Sequence, residues 1–246
     1  MKTAQRCRRG LSLVELLVVC ATITVLVGLS IIGLRASRVA ARGGDTLGKL
    51  RSHAQIVSMY AVDYAGVFPC VTDPGQLETV FTTPGGTLIS PYFDVRFTWH
   101  IGMADQYYDG LHYAPAFYAK GAASTAMDPF WYSVSCVASA AYWNSSTRQP
   151  EGQFGGVRVD LTTFPSRKGI FLNSRGTEDQ TWAFRDSNAR LELACVDGHA
   201  ETARQGDLSI PVSSGEGPAA WPRTRVRIGI PVIHTVDGVL GWDTRK

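Results

Sequence analysis

The stretch Arg8-Arg9-Gly10-Leu11-Ser12-Leu13-Val14-Glu15, with residues 16–34 behind it, decides how this chain is read. Residues 16–34 are nineteen in number and carry no charge. As a helix rising about 1.5 Å per residue, they span roughly 28 Å, close to the ~30 Å hydrocarbon thickness of a bilayer. One carboxylate, Glu15, stands at the start of the apolar run. A charge at membrane depth costs free energy unless another group answers it, and such a residue calls for a named partner. Cutting the chain after Gly10 supplies one, an α-amine on Leu11. Within one helix residues 11 and 15 lie about 6 Å apart along the axis, so the amine of the same chain and that of a staggered neighbour are both open. Staggered pairing drives ordered assembly, because each carboxylate sheds its desolvation penalty only when paired.

Two plainer readings compete. A secretory signal peptide has a basic start, an apolar centre and a small-residue cleavage site. Here Ala40 and Ala41 would serve as that site, and the mature chain would start near Arg42. The apolar centre of a signal peptide is usually 7–15 residues, however, and residues 16–34 exceed it with Glu15 out of place. The other reading is a simple anchor with an incidental glutamate. Flanking charge does not orient the span, since Lys2, Arg6, Arg8 and Arg9 stand before it and Arg35, Arg38 and Arg42 after it.

Gly10-Leu11-Ser12-Leu13-Val14-Glu15-Leu16-Leu17 resembles the processing and N-methylation motif of type IV pilins and type II secretion pseudopilins. The resemblance implies that a dedicated membrane peptidase cuts after Gly10 and methylates the new amine of Leu11. It makes Glu15 the assembly glutamate. It implies as partners that prepilin peptidase/methyltransferase, other pilin or pseudopilin subunits and inner-membrane lipid. It places the chain as a single-pass inner-membrane protein with a periplasmic globular part, assembled in a pilus or pseudopilus. Leu11 replaces the Phe or Met common in the family. Two departures set the chain apart from a standard major pilin: no cysteine follows Cys195 to close a C-terminal disulfide loop, and no proline precedes Pro69 in the helix.

Removing a leader and a span from the 246 residues leaves about 200, enough for one core-forming domain. The net charge of +3 belongs to the leader: residues 1–10 hold four basic groups and no acidic one, leaving 20 basic against 21 acidic residues. A general nucleic-acid-binding reading therefore lacks its electrostatic footing. Of the five cysteines, Cys7 lies in the leader and Cys20 in the span; Cys70, Cys136 and Cys195 allow at most one bridge among them.

The expected organisation is a leader at 1–10, the transmembrane half of one helix at 11–34, its amphipathic half at 35–65, and a globular pilin-like domain at 66–246. Leu47, Leu50, Ala54, Val57, Ala61 and Tyr64 recur at helical spacing and predict a buried stripe. Gly43-Gly44 is expected to interrupt the helix, and Gly66 with Pro69 to stop it. Residues 70–165, rich in Gly, Pro and aromatics, read as irregular loops packed by their own rings over a sheet. Within them, 134–141 reads equally as a strand or a short helix. Further on, 168–172 reads as a buried strand, and 191–196 and 199–203 as a hairpin about Asp197-Gly198. A final strand is expected at 225–233, with Arg223, Arg225 and Arg227 on one solvated face. The fold class expected is thus α+β and pilin-like: a long N-terminal helix, transmembrane in its first half, packed on a small antiparallel sheet.

Catalytic and metal signatures are not apparent. There is no Gly-x-Ser-x-Gly, His-Glu-x-x-His, Cys-x-x-Cys, phosphate-binding loop or EF-hand loop. Asp207, Asp237 and Asp243 lack the spacing of calcium ligands. Asp197 and His199 suit turn geometry better than catalysis. The chain therefore reads as a structural subunit, not an enzyme, with no cofactor, no metal and no nucleic-acid partner. The competing class is a tethered module binding carbohydrate or DNA through the aromatic region.

Overall fold

The computed structural model describes residues 12–72, 75–119, 129–148, 150–154, 156–173, 186–212 and 230–245. The expected leader at 1–10, the Gly10–Leu11 junction, Cys7 and the arginines at 223, 225 and 227 lie outside these residues. The protein is α+β, with a long apolar N-terminal helix and antiparallel sheets. By internal contacts it divides into two units, Met1–Ala41 and Arg42–Lys246.

Helix α1 is Leu13–Asp63. In the first unit, Leu13–Ile31 is long and apolar enough to cross a membrane, a test that a membrane anchor and a signal sequence both pass, and none of it is buried within the chain. Its hydroxyls are answered locally. Thr22, Thr24 and Ser30 donate to the carbonyls of Val19, Cys20 and Leu26 at 2.9, 2.8 and 2.7 Å. Back-bonding of this kind lets a polar side chain sit in an apolar surrounding without an unpaired proton.

In the second unit α1 supplies one wall of the core. Leu50, Ala54, Val57 and Ala61 are buried as their spacing predicts, whereas Tyr64 is 39 % exposed. Two polar residues, Thr46 and His53, complete the buried face in place of Leu47 and Tyr64. Gly43-Gly44 does not interrupt the helix, which runs through it. Gly43 instead gives room, since a Cβ there would stand 3.3 Å from Glu192 Oε1 on the sheet. The helix ends as expected. Ala65 and Gly66 turn left-handed, and Gly66 N–H donates to the Ala61 carbonyl at 2.6 Å.

The aromatic middle of the chain is more ordered than the sequence suggests. Strands β1 (Glu78–Thr83) and β2 (Gly86–Pro91) form an antiparallel hairpin, followed by helices α2 (Val95–Gly102) and α3 (Ala104–Tyr107). Residues 134–141 contain a short 3-10 turn, Val134–Cys136, and the start of another, not a strand. The main sheet is β3 (Trp131–Tyr132), β4 (Gly169–Leu172), β5 (Arg190–Cys195) and β6 (Ala200–Arg204), antiparallel throughout in that order. The final strand expected at 225–233 is not present in its described part, because residues 231–233 form a turn.

His53 joins α1 to these parts. Its ring lies 5.0 Å from that of Trp99 and within 6 Å of Tyr108, Phe117, Phe130 and Phe171. Nδ1 meets the Tyr108 hydroxyl at 2.8 Å and Nε2 the Ala116 carbonyl at 2.9 Å. A neutral ring donating from Nε2 and accepting at Nδ1 satisfies both bonds. Lys49, one turn earlier, donates to the carbonyls of Pro115 and Tyr118, both at 3.1 Å.

Burial holds three histidines far below their ordinary range: His53 and His100 at about 4, His234 at about 3. The His234 ring accepts the Ile230 N–H at Nδ1, 3.1 Å away, a bond that protonation destroys. Unfolded histidines titrate near ~6.5, so between about pH 6.5 and pH 4 the unfolded chain binds more protons than the folded one. Stability is therefore full above pH 6.5 and falls as the pH drops, by about 1 kcal/mol per pH unit for each such proton. Glu192, whose carboxyl is raised by burial, opposes this with a single proton. Urea unfolding of the detergent-solubilised protein, followed by tryptophan fluorescence, is expected to shift to markedly lower urea from pH 7.5 to pH 5. A midpoint unchanged over that interval would contradict the neutral, buried histidines.

Candidate functional site

The residue singled out by the sequence, Glu15, sits in the first turn of α1, and its environment is local. Its Oε2 accepts the Ser12 backbone N–H at 2.8 Å and the Ser12 hydroxyl at 3.0 Å. The Ser12 hydroxyl in turn accepts the Glu15 N–H at 3.2 Å. This reciprocal arrangement is a capping box, in which a serine and a glutamate three residues on satisfy two of the unpaired N–H groups at a helix start. The positive end of the helix dipole favours the carboxylate further. The glutamate thus has a partner inside its own chain, for which the Ser-x-x-Glu spacing is the sequence signal. Gly10 and Leu11, the expected cleavage and methylation positions, lie outside the described residues.

A second polar centre, which the sequence did not announce, lies inside the globular unit. Lys168 and Asp243 are both completely buried and paired at 2.9 Å. The ammonium of Lys168 also donates to Ser135 Oγ at 2.6 Å and to Thr235 Oγ1. Asp243 Oδ2 takes a further bond from the Gly169 N–H at 2.9 Å, and Oδ1 takes one from the Thr235 hydroxyl at 2.6 Å. All three lysine hydrogens are thereby placed, and both carboxylate oxygens are used. A lysine beside a serine is one arrangement for nucleophilic catalysis. This one is unsuited to it: the amine has no lone pair left to act as base, and Ser135 is sealed from solvent. The centre ties β4 to the turn at 133–135 and to the C-terminal segment 230–245.

The remaining candidates are placed as follows. Asp207, Asp237 and Asp243 do not converge as a metal-ligand set among the described residues. Asp237 accepts a bond from the Asn144 amide at 2.7 Å. Cys70, Cys136 and Cys195 stand as thiols, with no bridge among them, and burial pushes the Cys136 thiol up to about 11. The rings of the aromatic region are largely spent on the core: Trp99, Phe117, Tyr118, Phe130, Trp131, Tyr132, Tyr142 and Trp143 are buried. Asp197 and His199 do meet, Nδ1 to Oδ1 at 2.5 Å, in the turn of the β5–β6 hairpin. One group of potential metal ligands converges there, Cys195, His199 and Glu201. Beside it, along β6, runs a groove of about 560 Å³ bordered by Arg190, Arg204, Arg245, Glu201 and Asp207. In comparisons with known proteins, no family model, curated protein or solved structure matches the chain.

Replacing Asp243 by alanine leaves the Lys168 charge buried without an answer. The expected cost is about 3–5 kcal/mol, read as a lower urea midpoint. The double variant Lys168→Met, Asp243→Leu removes both charges and is expected to recover most of that loss. A single Asp243→Ala variant as stable as the parent would contradict the role given to the pair.

Proposed function

We propose that the chain is a structural subunit of a type IV pilus-like or type II secretion pseudopilus fibre. It is cut after Gly10 by a prepilin peptidase, methylated on Leu11 by the same enzyme and assembled through its N-terminal helix. The observation that carries this reading is the pairing of two features at one end of α1. The stretch Leu13–Ile31 buries none of its apolar surface within the chain, and a carboxylate stands at its very start. Bare apolar surface of that extent needs a covering of lipid or of other helices. A subunit that moves from membrane to fibre exchanges the first for the second.

The capping box refines how Glu15 takes part. Both Ser12 bonds fall on Oε2, so an incoming amine from a neighbouring copy can approach Oε1 without breaking the cap. In the membrane the serine and the helix dipole make the charge tolerable; in the fibre the amine adds the opposite charge. The partners in this proposal are the peptidase/methyltransferase, sister subunits and inner-membrane lipid. The globular unit faces the periplasm. The role is structural and calls for no catalytic residue or nucleic acid.

Two substitutions separate cap from charge. Glu15→Gln keeps an acceptor for the Ser12 N–H, since glutamine serves in a capping box as glutamate does, but it removes the charge. Glu15→Ala removes both. In the native host, both variants are expected to be processed to the mature length. Both are expected to enter sheared fibres at roughly a tenth of the parent level or less, a deficit equivalent to about 1.4 kcal/mol. Incorporation of Glu15→Gln at the parent level would overturn charge pairing as the driving force and leave only the cap.

A further inference from the structure

The β5–β6 hairpin turns through three residues, Val196, Asp197 and Gly198, and not through Asp197-Gly198 alone. Gly198 takes the left-handed conformation, φ +89°, that closes such a loop. The extra residue matters for what faces what. Ala194 pairs with Ala200, and the Cys195 N–H donates to the His199 carbonyl at 2.9 Å, so Cys195 and His199 stand directly opposite each other. Directly opposed residues project from the same face of a sheet. Glu201, two residues beyond His199, projects from that face as well. A one-residue change in the loop would send the two strands' side chains to opposite faces.

The consequence is a triangle of three different ligand atoms. The Cys195 sulfur, a ring nitrogen of His199 and a carboxylate oxygen of Glu201 all lie within 4.8 Å of one another. Asp197 Oδ1 holds the Nδ1 of His199 at 2.5 Å. A carboxylate on one ring nitrogen fixes the tautomer that presents the lone pair of the other, as it does behind metal-bound histidines generally. Cys195 is buried, while His199 and Glu201 are half-buried.

We propose that Cys195, His199 and Glu201 bind a divalent cation of the zinc class, with solvent water completing a four-coordinate shell and Asp197 orienting His199. Sulfur, imidazole and carboxylate together are the donor set of a borderline-soft ion, and calcium or magnesium would require oxygen ligands throughout. Binding converts the Cys195 thiol to a thiolate, forming the metal–sulfur bond and releasing one proton to solvent. The ion pins the two strands across the turn. The same residues do not make a Cys–His–Asp nucleophile, because the buried sulfur is out of reach of a substrate carbonyl but within reach of an ion seated between it and its two half-buried neighbours.

The test uses the full chain in detergent micelles, stripped with a chelator and titrated with Co²⁺ as a coloured stand-in for Zn²⁺. The expected result is a thiolate-to-cobalt charge-transfer absorption that saturates at one Co²⁺ per chain and disappears on adding Zn²⁺. Cys195→Ser is expected to abolish the band. Because that sulfur is buried and its replacement risks the fold, His199→Ala at a half-buried position provides an independent check, with affinity falling tenfold or more. Asp197→Ala is expected to weaken binding about 10–100-fold through loss of the orienting carboxylate. Absence of a thiolate band, a band that survives Cys195→Ser, or unchanged affinity in His199→Ala would each overturn the proposal.

Discussion

The ammonium of Lys168, with no exposed surface, is held inside the globular unit by three oxygens, and much of the unit's architecture follows from placing them. One oxygen comes from the turn after β3, and two come from the C-terminal segment. The start of β4 is therefore held by the chain end folded over it. The backbone repeats the message, since Asp243 N–H donates to the Arg167 carbonyl at 2.8 Å and Ser133 Oγ donates to the Val232 carbonyl at 2.5 Å. Gly169 marks how closely the segment approaches: a Cβ there would lie 2.6 Å from Val232 Cγ1. A buried ion pair is seldom a strong net source of stability, but breaking one is costly. Here it acts as a specification, fixing which tail residue meets which strand.

The start of α1 poses the opposite problem, a charge at the edge of an apolar helix, exposed among the described residues. The cap answers it with Ser12. Fibre assembly, in the reading proposed above, uses the other oxygen of the same carboxylate. The two roles differ in kind. A capping box contributes about 1 kcal/mol to a helix end, and it works in a single copy. In the proposed reading the charge pair forms between copies, which is what makes it a device for assembly.

The parts of the fold written in local patterns were legible in the sequence. The apolar run, the end of α1 before Gly66, strand β4 and the β5–β6 hairpin all follow from periodicity and turn residues. The parts that depend on contacts distant in sequence were not. Thr46 and His53 break the apolar stripe of α1 yet are buried, because His53 finds partners at Tyr108 and Ala116 that no local pattern reveals. Gly43-Gly44 read as a break because glycine is a poor helix former, but the helix crosses it. The β1–β2 hairpin, closed at Thr83 and Gly86, falls in the 70–165 stretch whose composition reads as irregular loops. Lys168 reads only as the first residue of a buried strand and Asp243 as an isolated carboxylate, and nothing local pairs them until the tail is folded. At the candidate site, the charge of Glu15 is plain in the sequence and its Ser12 partner shows only as a Ser-x-x-Glu spacing, whereas Cys195, His199 and Glu201 are brought together by register, not motif spacing.

Assembly through α1 requires that the N-terminal helix be kept and the ten residues before Leu11 be removed. The mass of the mature subunit, taken from fibres sheared off the native host, tests this most directly. The predicted result is a chain that starts at Leu11 and carries one methyl group on its α-amine. Fibre-borne subunits that still carry residues 1–10, or a mature chain that starts near Arg42 and so lacks the apolar helix, would contradict it.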